Sequence, residues 1–365
     1  MRVLVLVADY PRNDGSVALM YVHVRNKYYM QHAIKVTVIN FAAQEDYVID
    51  GISVITKDTY LKSNDTYDLL ICHAANIRNH YRFLIKYGER FPRCIFFFHG
   101  HEVLKINKEY PAPFEYHKKN SVIRNWMQDC YDTYKLLTWN RYFTKTLEKS
   151  HYVFVSNWLL DKFLFYTKLN RSDLKDHYSI IHNSVGYEFE KLSYDLESTK
   201  EYDFITIRSY LDDSKYSVDI VNELAHKNPS LRFLLIGKGQ FFQHNKKAEN
   251  LTWIDTVLQH KEITTYLNKA RCGLLPTRED TQGVMTCEMA AFGIPVITSD
   301  IDVCKEICKN LENVYLMDNQ DLDFDLGAVL RNLISGLPYE KNDMYFSYRT
   351  LAHEVELLQS KIPNV

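Results

Sequence analysis

The sequence predicts an α/β protein made of two doubly wound units in tandem. Three observations carry this. The chain has 365 residues, about two ordinary domains of roughly 100–200 residues each. Short runs rich in β-branched residues alternate with helical stretches, the pattern of a parallel sheet covered by helices on both faces. The alternation breaks at a polar, acidic stretch, Tyr187–Lys200, and then restarts. The expected domains are 1–188 and 189–342, with a terminal helical segment, 343–365, packing back on the first.

In the first unit, Arg2–Ala8 is a continuous apolar run, as expected of a strand buried on both faces. A polar loop, Pro11–Ser16, leads to a helix over Val17–Gln31 and a strand over Lys35–Asn40. Gly51–Thr56 and Tyr67–His73 read as strands, Tyr81–Gly88 as a helix, and Cys94–Phe98 as a strand ending at His99-Gly100-His101. His151–Ser156 and Tyr178–His182 fit later strands of the same sheet. In the second unit the strands fall at Asp203–Ile207, Leu231–Ile236, Leu251–Trp253, Gly273–Pro276 and Pro295–Ser299. Helices fall at Ser217–Lys227, Ile263–Lys269 and Val284–Phe292, the last stopped by Gly293. Tyr345–Ser360 is a helix of mixed polarity.

Composition narrows the class. Apolar residues at 46% and charged residues at 25% describe a globular protein, not a disordered chain or a coiled coil. A net charge of −2 offers no global attraction to nucleic acid. The seven cysteines are odd in number and widely spaced, so no disulfide framework is expected. The first apolar run stops at Asp9 with no small-residue cleavage site after it, and reads as a strand, not a signal peptide. No apolar run approaches the ~18 residues of a bilayer span. The expected location is therefore cytoplasmic, either free or peripheral at the inner face of the cell membrane. Glycine is scarce, 12 residues, or about half the usual ~7%, so the places where glycine does fall are informative.

Open parallel sheets bind ligands at the carboxyl ends of their strands, and with two such sheets the expected site is a cleft where those ends face each other. The sharpest segment is Pro276-Thr277-Arg278-Glu279-Asp280-Thr281-Gln282-Gly283, immediately before the helix at Val284. Amides at that helix start can face an anion. Asp280 either caps this helix or meets a ligand. Glu288 lies among Cys287, Met289, Ala290 and Ala291, and a carboxylate in apolar surroundings needs a partner; a ribose or sugar hydroxyl pair is a natural one.

Asp280 and Glu288 with Gly283 between them, followed by Gly293-Ile294-Pro295-Val296-Ile297, resemble the two-acid signature of retaining glycosyltransferases of family 4, which have the GT-B fold of two Rossmann-like domains facing across a cleft. Further marks stand in order along nearly the whole chain: Pro11 and Gly15 after the first strand, His99-Gly100, Asn183, then Arg208 and Lys215, then Gly237-Lys238-Gly239. There are departures. Asp280 stands where Glu is usual, Gln282 replaces an aromatic, Ser184 follows Asn183 in place of glycine, and Ser214 and Tyr216 flank Lys215 where a glycine is expected.

The resemblance implies roles for these positions. Arg208 and Lys215 would clamp the diphosphate of the donor and stabilise it as it leaves. Glu288 would hold the ribose hydroxyls, Asp280 and His99 would lie at the transferred sugar, and Gly15, Gly237, Gly239, Gln282, Gly283 and Val284 would shape the donor site. Glu102 is a weaker acceptor-side candidate. The implied substrates are a UDP- or GDP-linked sugar and a glycan or lipid-linked glycan, with no cofactor and no metal. Asp300-Ile301-Asp302 and Asp321-Leu322-Asp323 look like metal motifs but read as a loop and a helix start respectively. Segment 103–150 interleaves basic and aromatic residues and is a candidate membrane contact. Two other classes fit the fold: a nucleotide-sugar 2-epimerase and a non-catalytic nucleotide- or glycan-binding relative.

Overall fold

The computed structural model describes residues 1–13, 18–117 and 122–362. Gly15 lies outside them. Its contacts divide the chain into two units: one of 1–105, 129–183 and 348–365, the other of 106–128 and 184–347. The division falls at Asn183/Ser184, a few residues before the expected 188, and it assigns 106–128 to the second unit.

The first unit is built on eight strands: β1 Arg2–Val7, β2 Lys35–Asn40, β3 Tyr47–Ile49, β4 Ile52–Ile55, β5 Leu69–His73, β6 Cys94–Phe98, β7 Ser150–Phe154 and β8 Tyr178–Ile180. Their order is β3-β4-β2-β1-β5-β6-β7-β8. All pairings are parallel except β3 with β4. The antiparallel β3 was not expected; three residues at a sheet edge are too short to show a period. β1 sits at the centre, and Val3 to Val7 are fully buried, as a sheet covered on both faces requires. One face packs β-branched residues such as Val5 and Ile71 against the helix Met20–Gln31 and the terminal helix Ser347–Ser360, which contributes Val355 and Leu358. The other face is aromatic: Phe96 and Phe98 meet Trp139 and Phe143 from the helix Val122–Thr146, and Phe163 from the helix Asn157–Thr167. Trp139 stacks on Phe143 at 5.0 Å with 7° between the rings. Much of the aromatic excess is thus core packing.

The second unit has six parallel strands: β9 Tyr202–Tyr210, β10 Phe233–Lys238, β11 Leu251–Ile254, β12 Ala270–Leu275, β13 Val296–Ser299 and β14 Val314–Met317. Their order is β11-β10-β9-β12-β13-β14. Its core joins Phe204, Leu235 and Leu274 of the strands to Val221 and Leu224 of the helix Val218–Lys227 and Leu330 of the helix Leu326–Ser335. The two acidic motifs change places relative to expectation. Asp302 opens a helix, Asp302–Cys308, whereas 321–323 is a loop. The helix that follows that loop is capped by Asp325, whose carboxylate accepts from the Ala328 amide at 2.8 Å.

Segment 106–128 belongs here for a visible reason. Phe114 packs on Phe241 at 5.1 Å, and Tyr116 stacks on His244 at 4.2 Å, nearly parallel. The Tyr116 hydroxyl donates to Asp212 at 2.8 Å.

Candidate active site

The second unit gathers most of the predicted residues at the carboxyl ends of β9, β10 and β12. Arg208, near the end of β9, is 8% exposed. Its Nη2 donates to the Pro276 carbonyl at 2.9 Å, while its buried Nε has no hydrogen-bond partner. Burial lowers its pKa and the nearby Asp280 carboxylate opposes that. Lys215 follows in a short turn, Ser214–Tyr216, with Nζ 3.6 Å from Asp213. Burial acts to lower the Lys215 pKa, but Tyr216, Asp213 and Asp280 outweigh it and the net shift is upward. The Tyr216 ring lies within cation–π reach of both cations, 4.9 Å from Arg208 and 4.8 Å from Lys215.

Gly237 is required where it stands. A Cβ there would lie 2.2 Å from the Arg208 carbonyl oxygen, so the end of β10 can run against β9 only without a side chain. At Gly239 the nearest groups to an added Cβ are Leu211 and the carboxylate of Asp212, both at 2.9 Å. Asp212 accepts from the Gln240 amide at 2.8 Å as well as from Tyr116. Asp212 is not singled out by the sequence, and Tyr116 stands out only as one of the aromatics of segment 103–150; nothing in their spacing joins them, because their pairing spans 96 residues.

Between β12 and the helix Val284–Phe292, Asp280 acts locally. Its Oδ1 accepts from the amides of Thr281, Gln282 and Gly283 at 2.7, 3.2 and 2.8 Å. These bonds fold the loop onto the carboxylate ahead of the helix, whose N-cap, Gly283, has no side-chain cap bond. The Gly283 amide is among the three that Asp280 holds. Gly283 holds the left-handed conformation, φ +70°, that lets the loop close on this carboxylate. Gln282 is buried beside it, and Val284 opens the helix.

Glu288 is 3% exposed, as its apolar neighbours suggest. Its partners are within the unit: Oε1 accepts from the Gly186 amide at 3.0 Å and lies 3.5 Å from His260 Nε2. Burial pushes its pKa up to about 8, against the opposing Gly186 bond. His260 is itself shifted down by burial. Gly186 leaves room for this pair, since a Cβ there would meet the His260 ring at 2.4 Å.

The stretch from Arg208 to Glu288 falls inside residues 206–335, which match the family described as Glycosyl transferases group 1. It is a group 1 glycosyltransferase domain. The chain that carries this transferase domain is 30% identical over 111 residues to 2-deoxystreptamine N-acetyl-D-glucosaminyltransferase of Niallia circulans, a match that takes in 29% of this chain and 28% of the relative. In fold, the chain resembles sucrose-phosphate synthase from Thermosynechococcus elongatus, with a TM-score of 0.69 at 14% identity over 99% of this chain and 98% of that one. It also resembles Anabaena HepE, solved in complex with UDP and glucose, with a TM-score of 0.65 at 11% identity over 99% of this chain and 100% of that one. The architecture is the two-domain GT-B glycosyltransferase fold.

The first unit holds its own polar cluster at the end of β6. His99 Nε2 lies 3.2 Å from Nδ1 of His73, which ends β5, and the His99 ring packs on Tyr21 at 4.6 Å. Burial, with Arg25 nearby, pushes His99 well below the ordinary histidine range; burial does the same to His73. Both rings are therefore neutral at pH 7. Glu102 is buried, and its Oε1 accepts from the His99 amide. The loop that carries it is fastened by Lys135, whose ammonium donates to the carbonyls of His101 and Leu104 and pairs with Asp132, each at 2.8 Å. Arg25, 2% exposed, donates to Asn183 at 2.8 Å and to Glu354 at 2.9 Å. Sequence reasoning missed Arg25 and His73, which stand in otherwise unremarkable helix and strand contexts.

Proposed function

We propose that this protein is a retaining glycosyltransferase that moves a sugar from a UDP- or GDP-linked donor to a glycan or lipid-linked glycan during cell-surface polysaccharide assembly. The observation that carries the reading is the cation pair at the end of β9. Arg208 is buried with an unsatisfied N–H, and Arg208 and Lys215 flank one tyrosine ring within electrostatic reach of Asp280. A buried guanidinium with a spare donor suits an anion that gains charge as it leaves.

In the reaction, the acceptor hydroxyl oxygen forms a bond to the anomeric carbon while the bond from that carbon to the diphosphate oxygen breaks. The acceptor proton passes to a phosphate oxygen of the departing diphosphate. Attack and departure on the same face preserve the anomeric configuration. Arg208 and Lys215 hold the charge of the leaving group, and this supply of positive charge makes a metal unnecessary. Glu288 takes the ribose hydroxyls. Gly237, Gly239, Gln282, Gly283 and Val284 shape the backbone around the donor, and Asp280 faces the sugar with Oδ2, the carboxylate oxygen not used in the loop bonds. His99, held neutral, serves as a hydrogen-bonding group for a sugar hydroxyl.

The acceptor reading leans on the helix Val122–Thr146. Its exposed face carries Ile123, Trp126, Met127, Tyr134 and Leu137 at helical spacing, with Trp126 64% exposed, and Arg124, Arg141 and Lys145 are exposed on the same helix. An apolar stripe with cations suits the inner face of a membrane bearing a lipid-linked acceptor. No helix among the described residues is long and apolar enough to cross a membrane.

The test is turnover with UDP- and GDP-sugars, reading nucleoside diphosphate release with and without acceptor and the anomeric configuration by NMR. Acceptor-dependent release with retention is expected, and Arg208→Ala should lower kcat/KM by about 10²–10³. An inverted product, or epimerised nucleotide sugar without diphosphate release, would overturn the reading.

A further inference from the structure

The loop after β12 does more than precede a helix. The Arg278 amide donates to the Lys215 carbonyl at 2.8 Å, and Thr277 Oγ1 donates to the same carbonyl at 3.0 Å. The Arg278 guanidinium reaches the turn as well: Nη1 donates to the Ser214 carbonyl at 2.9 Å. The same guanidinium grips Asp219 in the first turn of the helix Val218–Lys227 through two bonds of 2.8 and 2.6 Å. This is a planar two-bond pairing of the kind only arginine makes. One side chain thus ties together the turn that bears Lys215, the helix behind it and the loop that bears Asp280 two residues later.

The turn needs such a tie. Ser217, immediately after it, is buried and sits at φ +52°, ψ +39°, a left-handed conformation that a serine adopts only when surrounding contacts over-determine it. Without a glycine beside Lys215, the turn cannot relax cheaply, and its path is set by what holds it from outside. The Arg278 charge is already matched by Asp219, so it is not available as a third cation for a diphosphate.

We propose that Arg278 is a positioning residue that sets the place of Lys215 and keeps it in register with Asp280. The inference rests on the reading of Lys215 as a diphosphate-binding cation.

A double-mutant cycle tests it, with calorimetric affinity for UDP and GDP and donor kcat and KM as readouts. Arg278→Gln should weaken binding of the better nucleotide and lower kcat/KM for the donor by about 10-fold, leave the acceptor KM unchanged, and have no further effect when Lys215 is already alanine. Arg278→Lys, which keeps the charge but not the two-bond grip, should restore only part of the loss. An undiminished effect in the Lys215→Ala background, or wild-type behaviour of Arg278→Gln, would overturn the inference while leaving Lys215 in its role. If Lys215→Ala bound and turned over like wild type, or neither nucleotide bound wild type, the underlying reading would fall and take the inference with it. Should Arg278→Gln fail to fold, Asp219→Asn runs through the same cycle, since it loosens the guanidinium but leaves the bond to Ser214.

Discussion

At the scale of single residues, Glu288 has the clearest consequence. Its carboxyl is buried, receives one backbone amide and faces a histidine that burial itself keeps neutral. With its pKa raised from 4.5 to about 8, the folded protein holds a proton that the unfolded chain gives up above pH 4.5. The sign follows. The contribution of this group is fully present below about pH 4.5 and is lost as pH rises through 8. Glu288→Gln removes the titration while keeping an oxygen for the Gly186 amide. Urea unfolding at pH 6 and pH 9 should therefore show the wild type losing stability relative to Glu288→Gln, by on the order of a few kcal/mol. A difference between the two proteins that does not move with pH would mean that Glu288 is not held protonated. The apolar run around Glu288 made its burial readable in the sequence. Its partners were not readable: Gly186 lies 102 residues away, and no local signal points to it.

At the scale of elements, legibility followed the length and period of each segment. The central strands were plain because burial on both faces leaves continuous apolar runs, as in β1 and β6. β3 was not, and segment 103–150 was understood only in part. Its basic and aromatic residues were visible, but periodicity does not say which face of a helix is covered. In Val122–Thr146 both faces carry apolar groups: Trp139 and Phe143 are buried in the core, while Ile123, Met127, Tyr134 and Leu137 remain exposed. An exposed apolar stripe of this kind asks for an occupant. The double variant Ile123→Glu, Trp126→Glu changes only exposed positions. It should co-sediment with vesicles containing anionic phosphatidylglycerol at least about 10-fold less than wild type, and turnover of a soluble acceptor should be unchanged. Equal sedimentation of the two proteins would remove the membrane from the reading.

At the scale of the whole molecule, the chain closes on itself in a way that local sequence cannot reveal. Arg25, near the amino terminus, meets Glu354, in the last helix, across 329 positions, and Tyr29 donates its hydroxyl to the same carboxylate. Both charged side chains are almost wholly buried, 2% and 0% exposed. Burial pushes the Glu354 pKa up, while Arg25 and Tyr29 pull it down. A buried pair of this kind adds little over an apolar substitute, but removing one partner strands the other charge, at a cost of about 3–5 kcal/mol. The last helix also supplies Val355 and Leu358 to the core built on β1. The terminal segment is therefore part of the first unit, although the whole second unit intervenes in sequence. Glu354→Ala should lower stability by roughly that amount, and the loss should be local. Hydrogen exchange should speed up in β1, β2 and β5, while β9, β10 and β12 keep their protection and nucleotide binding at Arg208 and Lys215 is retained. Exchange rising equally in both sheets would show that the two cores unfold as one. Protection unchanged throughout would show that Arg25 finds another partner when Glu354 is gone.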